Sequence, residues 1–379
     1  MARVLVVHNR YRIEGGEERS VDLQLRALRR AGVAHRLLER RSAEASPGRA
    51  AISLLRGGDR PEDVARAVRE LEATIVHVHN MQPLVGPRGL AAARSAGARV
   101  VLHLHNMRLF CAIGVAARDG GPCFRCHGRN TLPGVVLNCR GSLPEAAAYG
   151  AALSLHQPAV YDAVDRFVVP SQHAAGQLER QGLPAGSAEV LPHYLPEEAF
   201  AERSRAAQGR YALVVARLSE EKGIDTAIEA AAASHVKLKV AGDGPAAAEL
   251  AGLIERLGAP VEQLGRVDRE RMSGLLGGAA MLLLPSRYHE FFGYAVLEAM
   301  AAGVPVVASR MGALPELIGA EHCVPANDAG TLAERMRVLW DDPERRRAEG
   351  DALIARAHRN HTEERFVERL LALYRAAAG

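Results

Sequence analysis

The strongest constraint on this chain is a rhythm that runs twice. Short apolar, β-branched runs recur, and each is followed by an amphipathic or Ala-rich stretch. In the first half the runs fall at residues 3–8, 74–79, 99–105, 166–170 and 189–192. The spacing of Val21, Leu25 and Leu28 puts them on one face of a predicted helix. A polar, Ala-rich stretch over 196–210 interrupts the series, which restarts at 211–216, 236–241, 261–264, 281–285 and 304–308. Uninterrupted apolar strands joined by helices imply parallel sheets covered on both faces. The expectation is an α/β chain of two doubly wound domains, 1–195 and 196–361, facing a central cleft. A last helix over 362–379 shows Phe366, Leu370 and Leu373 on one side. A length of 379 residues accommodates two such domains.

Composition removes several function classes. A hydrophobic share of 48% with 24% charged residues fits a globular protein. A formal charge of +4 suits anionic ligands and argues against a nucleic-acid binder. No uncharged apolar run reaches the roughly 18 residues that a membrane span needs. The start MARVLVVHN lacks a signal-peptide layout, so a cytoplasmic location is expected. Arg19, Arg26, Arg29, Arg30, Arg36, Arg40 and Arg41 crowd one stretch. That crowding allows peripheral contact with an anionic membrane face; a solvated Arg-rich helix is the competing reading. Lysine occurs only at 222, 237 and 239, so a lysine in a motif stands out.

Four segments carry chemistry. In PSRYHEFFGYAVLEAMAAGVPVVAS (285–309), a strand end, a loop and a helix start follow one another. Ligands of doubly wound sheets sit at the carboxyl ends of strands. Gly293 allows close backbone approach, and the helix that follows presents N–H groups suited to a diphosphate. Glu290 and Glu298 are acceptors for paired hydroxyls. In VVARLSEEKGIDTAIEAA (214–231), Arg217, Lys222 and Gly223 form a strand-to-helix turn able to neutralise a leaving diphosphate, with Asp225 as a helix cap. Gly15 and Gly16 separate the first strand from the first helix, where a plain turn is the bland reading. HVHN and HLHN place His77 with His79, and His103 with His105, on shared strand faces. Metal binding is one reading and satisfied structural rings another. His105, beside Asn106, is favoured as a hydrogen-bonding group for sugar or acceptor.

Four of the five cysteines, Cys111, Cys123, Cys126 and Cys139, fall within one Gly-rich stretch. Cys123-x-x-Cys126 has zinc-knuckle spacing, and a structural zinc site is the expectation. An iron–sulfur cluster and four unligated thiols are the competing readings, and disulfides are disfavoured in a reducing compartment.

Together these segments resemble the retaining GT-B glycosyltransferases of family 4, whose two domains are Rossmann-like. The match rests on Glu290-FFGYAVL-Glu298, on Arg217 with Lys222 in ARLSEEKG, on AGDGP at 241–245, on LGRV at 264–267 and on Gly15-Gly16. The resemblance implies a nucleotide-sugar donor (UDP- or GDP-sugar) held by the C-terminal domain and a hydroxyl acceptor of unstated identity held by the N-terminal one. It implies a final helix that crosses back to the N-terminal domain. It gives Arg217 and Lys222 the diphosphate, Glu290 the sugar hydroxyls and Glu298 the ribose. Phe291, Phe292, Gly293 and Tyr294 face sugar and phosphate, Gly242 and Gly265 belong to donor motifs, and His105 lies by the transferred sugar. Gly16 lets the N-terminal loop close over the diphosphate. No catalytic metal is implied. A sugar-nucleotide epimerase and a catalytically idle sugar-nucleotide-binding module are the alternatives. Ala216 and Phe291 stand where the family often has Gly.

Overall fold

The computed structural model describes residues 2–11 and 15–379. The chain divides into two compact units. Unit 1 takes Met1–Ala116, Phe124–His193 and Glu364–Gly379; unit 2 takes Ala117–Cys123 and Tyr194–Glu363. No described helix is long and apolar enough to cross a membrane.

Unit 1 holds a six-stranded sheet of β1 (Val4–Arg10), β2 (His35–Arg41), β3 (Ile75–Val78), β4 (Arg99–His103), β7 (Arg166–Val169) and β8 (Ala188–Val190). Between β4 and β7 a short antiparallel hairpin, β5 (Ala117–Arg118) with β6 (Gly121–Pro122), leaves for unit 2. The order is β2-β1-β3-β4-β7-β8, all parallel. The chain first moves to one side of β1 and then resumes on the other, so the crossover in strand order lies between β1 and β3. His8, Asn9, His77 and His79 stand at that carboxyl edge, where such sheets open a crevice.

Unit 2 repeats the design with β9 (Tyr211–Val215), β10 (Leu238–Ala241), β11 (Val261–Gly265), β12 (Ala279–Leu284), β13 (Val306–Ser309) and β14 (Cys323–Val324). The order β11-β10-β9-β12-β13-β14 places its crossover between β9 and β12. Helices cover both faces. Leu213, Leu282, Leu284, Val296 and Met300 pack on one side of the sheet, and Val214, Val240, Leu283, Ile228 and Met336 on the other. Neighbours along β12 thus enter opposite cores, which explains an apolar run with no polar alternation.

Two edge strands depart from the apolar rhythm, β2 and the two-residue β14. β2 reads HRLLERR and lies at the sheet edge, paired on one side only. An edge strand has a free flank, so its side chains can be charged. Arg40 of β2 is buried. Its guanidinium donates to the carbonyls of Asp59, Leu84 and Arg60 and pairs with Asp63 at 3.4 Å. Arg36 pairs with Glu70 at 2.7 Å and Arg41 with Glu39 at 2.7 Å. Of the seven crowded arginines, Arg40 is thus held inside, while Arg36 and Arg41 pair at the surface with their charges partly neutralised.

Candidate functional site

The residues after β9 and after β12 meet at the unit 2 crossover. Gly223 permits that approach, and Gly312 lets the turn after β13 pack on Glu290. Gly223 has φ +63, and a Cβ there would sit 2.1 Å from the Pro285 carbonyl oxygen. Gly312 has φ +62, and a Cβ would come within 2.3 Å of the Glu290 backbone. Both positions demand glycine on two grounds, left-handed backbone and space. The loops are then stitched together. Arg287 donates its backbone N–H to Glu221 at 2.8 Å, and its guanidinium pairs with Asp225 at 2.5 Å. Asp225 thus serves as a partner for Arg287. The expected helix cap is instead Gly223, at the start of helix Ile224–Ser234.

The centre of this arrangement is Glu290. Its Oε1 accepts from Lys222 Nζ at 2.8 Å and from Ser286 Oγ at 2.7 Å. Its Oε2 accepts from the Tyr288 hydroxyl at 2.6 Å, and Lys222 Nζ also donates to Tyr288 at 2.9 Å. Burial opposes the charge on Lys222, but Glu290 and Tyr288 outweigh it and hold the amine protonated well above the usual lysine range. Burial likewise works against ionised Glu290, and the Lys222 charge prevails, so its carboxyl titrates below the usual range. The hydrogen-bond accounting leaves capacity for a ligand. Lys222 keeps one N–H of three, and Glu290 Oε2 keeps one acceptor site.

Ser286 and Tyr288 were missed by sequence reasoning. The signal existed, because Ser286, Tyr288 and Glu290 occupy alternate positions after a strand end. Arg217 is exposed, with no side-chain partner among the described residues. Phe291 and Phe292 are buried, and Gly293 (φ 109) opens helix Tyr294–Ala301 without a side-chain cap. The Val296 N–H of its first turn donates to the Gly293 carbonyl at 3.1 Å. Glu298 is half-buried on the same helix. Gly242 follows β10 and Gly265 ends the neighbouring β11, and the Gly242 N–H donates to the Gly265 carbonyl at 2.9 Å. A Cβ at Gly242 would sit 1.8 Å from the Ala216 carbonyl oxygen.

Unit 1 presents an open pocket of ≈ 330 Å³ lined by Tyr11, Glu17, His79, His105, Asn106 and Arg108, among others. Gly15 is extended (φ −151), so any residue could adopt its backbone, and Gly16 opens helix Gly16–Arg30. The Gly15 N–H donates to Glu18 at 2.7 Å. Residues 12–14 of this loop lie outside the described residues. His105 is half-buried, with Nε2 2.8 Å from His79 Nδ1. Burial pushes the Glu17 carboxyl up to about 7, against the pull of His8 and Arg108.

That shift has a signed consequence. A carboxyl raised from 4.5 to about 7 holds its proton in the folded state while the unfolded chain releases it. Its contribution is complete below about pH 4.5 and is lost as pH rises through 7, to the extent of about 3 kcal/mol. Glu17→Gln, which mimics the protonated form, should be more stable than wild type at pH 8 and nearly equal at pH 5. Melting curves between those values check this; parallel curves would refute it.

The four cysteines of the expected zinc site fall between β4 and β7, all partly exposed. Among the described residues, the group of three whose ligand atoms all lie within 4.8 Å of one another is His77, His79 and His103, and no three thiols come that close. Cys123 belongs to unit 2, and Cys111, Cys126 and Cys139 belong to unit 1. Cys126 Sγ lies 3.9 Å from the Thr131 carbonyl oxygen, and burial pushes the Cys111 thiol up. The segment has other anchors. Met107, Leu109, Phe110, Ala112 and Ala116 are buried, the hairpin follows them, and Leu132–Val136 is helical.

Known proteins match both halves. The family described as Glycosyltransferase Family 4 matches residues 14–195, and Glycosyl transferases group 1 matches 197–353. The chain belongs to the GT-B glycosyltransferases of family 4. A GDP-mannose-dependent alpha-(1-6)-phosphatidylinositol dimannoside mannosyltransferase from Mycobacterium tuberculosis is 39% identical over 138 residues, which is 35% of this chain and 35% of that enzyme. The chain thus spans about a third of the length of the curated relatives it matches first. Sucrose-phosphate synthase from Thermosynechococcus elongatus shares the fold with a TM-score of 0.74 at 20% identity, covering 99% of each chain. Anabaena HepE in complex with UDP gives 0.69 at 16% identity, covering 99% of this chain and 100% of that one. These likenesses establish the GT-B fold: two parallel-sheet, Rossmann-like units.

Proposed function

We propose that this family 4 protein is a retaining glycosyltransferase, moving a hexosyl group from a UDP- or GDP-sugar to a hydroxyl acceptor without a divalent metal. The observation that carries the reading is the Lys222–Glu290–Tyr288 cluster at the β9/β12 crossover. It offers a cation with a spare N–H beside a carboxylate with a spare acceptor site, near the start of helix Tyr294–Ala301, which has no side-chain cap. That is the complement of a diphosphate joined to a sugar. Arg217 and Lys222 stabilise the charge that grows on the diphosphate as the anomeric C–O bond breaks. The acceptor oxygen attacks from the same face, and its proton passes to the departing diphosphate oxygen. Glu290 holds sugar hydroxyls, Glu298 the ribose hydroxyls, and the backbone of Phe291–Gly293 faces sugar and phosphate, with Tyr294 beside it. Gly242 and Gly265 shape the donor side. From unit 1, Gly15 and Gly16 let the N-terminal loop close over the diphosphate, and His105 lies by the transferred sugar. The two relatives above, one GDP-mannose-dependent and one seen with UDP, support the choice of donors.

A panel of UDP-, GDP- and ADP-sugars tested by thermal shift finds the donor. At a hundred times its Kd a bound donor stabilises the fold by about 2.7 kcal/mol. Turnover with that donor should persist in EDTA and keep the anomeric configuration in the product spectrum. No stabilisation by any donor would refute the assignment. Activity in EDTA-treated protein that returns only with Mg²⁺ or Mn²⁺ would refute metal independence.

A further inference from the structure

Six histidines gather in unit 1, and the proposed transfer uses only His105. The parallel register of β3 and β4 pairs Val78 with Leu102, so the next step sets His79 beside His103. The rings stack closely: His77 on His79 with centroids 4.9 Å apart, His79 on His103 at 5.1 Å, and His103 on His105 at 4.1 Å. His77, His79 and His103 are 0%, 3% and 1% exposed. At that depth each ring nitrogen needs a partner, yet Nε2 of His77, Nε2 of His79 and both nitrogens of His103 have none. Unmet nitrogens on three buried rings are costly for a fold to keep without a ligand.

The geometry points to a transition-metal site built by His77, His79 and His103, with zinc or a chemically similar divalent ion as its occupant. The three candidate ligand atoms lie within 4.8 Å of one another. Tetrahedral zinc with Zn–N of about 2.0–2.1 Å sets its nitrogens about 3.3 Å apart, so modest ring rotations complete the site. The orphaned nitrogens are also the correctly supported ones. His77 Nδ1 lies 2.9 Å from the Tyr374 hydroxyl, and His79 Nδ1 lies 2.8 Å from His105 Nε2. With the Nδ1–H donating to those partners, each Nε2 carries the lone pair that a metal requires. Tyr374 is itself held by Gln24 Nε2 at 2.9 Å. Three neutral imidazoles suit Zn²⁺, Co²⁺ or Ni²⁺, and they disfavour Mg²⁺ and Ca²⁺, which take oxygen ligands. The ion ties β3 to β4 and, through Tyr374, to helix Glu363–Ala378. His79 and His103 also line the unit 1 pocket, so the ion stiffens that wall.

Chelator-treated full-length protein titrated with Co²⁺ tests the site without any transfer assay. The expected result is one ion per chain, with visible d–d bands of nitrogen ligation and no intense near-ultraviolet thiolate band. Zn²⁺ should displace the cobalt and raise Tm. His103→Gln should abolish uptake, and a Cys111→Ser, Cys126→Ser, Cys139→Ser variant should retain it. Tyr374→Phe keeps the ring packing and removes only the supporting hydroxyl, so it should weaken binding by about 10- to 100-fold. That variant and the wild-type spectrum decide the matter if His103→Gln fails to fold. Absence of uptake by wild type, a thiolate band, or unchanged affinity in Tyr374→Phe would overturn the proposal.

Discussion

Lys222→Met is expected to lose turnover and stability together. The lost turnover, about 100- to 1,000-fold, follows from removing a cation that faces charge developing on the leaving diphosphate. The lost stability follows from what stays behind. Glu290 is 5% exposed, and in the variant its carboxylate keeps only Ser286 and Tyr288 as donors. Removing one partner of a buried pair leaves an uncompensated charge, here worth roughly 3 kcal/mol, the low end of the usual range, because two hydrogen bonds survive. The double variant Lys222→Met, Glu290→Gln separates the two effects. It should regain most of the stability, since no charge is left unpaired, and remain inactive. Urea denaturation of wild type, both single variants and the double variant, with donor turnover measured on each, closes the cycle. A single variant as stable and active as wild type would refute the pairing and the role.

Arg217→Ala is expected to behave differently at the same turn. Arg217 is exposed and makes no side-chain contact that the fold depends on. Its truncation should leave Tm within the ordinary range for a surface change, about ±0.5 kcal/mol in stability. Turnover should still fall about 100- to 1,000-fold, because its charge is needed only as the diphosphate departs. The fall should appear in kcat more than in KM, the mark of an interaction made in the transition state. A variant with full kcat would remove Arg217 from the machinery. The contrast between the two cations is itself informative, since one is built into the loop architecture and the other is exposed.

The apolar rhythm located the strands buried on both faces, such as β1, β9 and β12, and also the edge strands β8 and β11. β2 and β14 escaped it. Each lies at a sheet edge, one polar and one only two residues long, so neither leaves a periodic trace. The cysteine cluster is a signal of another kind. Thiol spacing along the chain is one-dimensional, while ligation is a condition on positions in space, and no three of the thiols lie within 4.8 Å of one another.

By itself, the sequence determined the double α/β alternation, the strand ends that carry Arg217, Lys222 and Glu290, and the shared face of each histidine pair. All of these follow from short-range rules: burial sets strand composition, and a period of two sets the face. Only the tertiary structure decided what those residues touch. Lys222 and Glu290 are 68 positions apart and meet because Gly223 lets their two loops close on each other, while Gly312 lets a third turn pack on Glu290. His77 and Tyr374 are 297 positions apart and meet because the last helix packs into unit 1. Contacts over such separations depend on the order in which strands pair and on backbone approaches of a few ångströms, and neither leaves a local pattern in the chain.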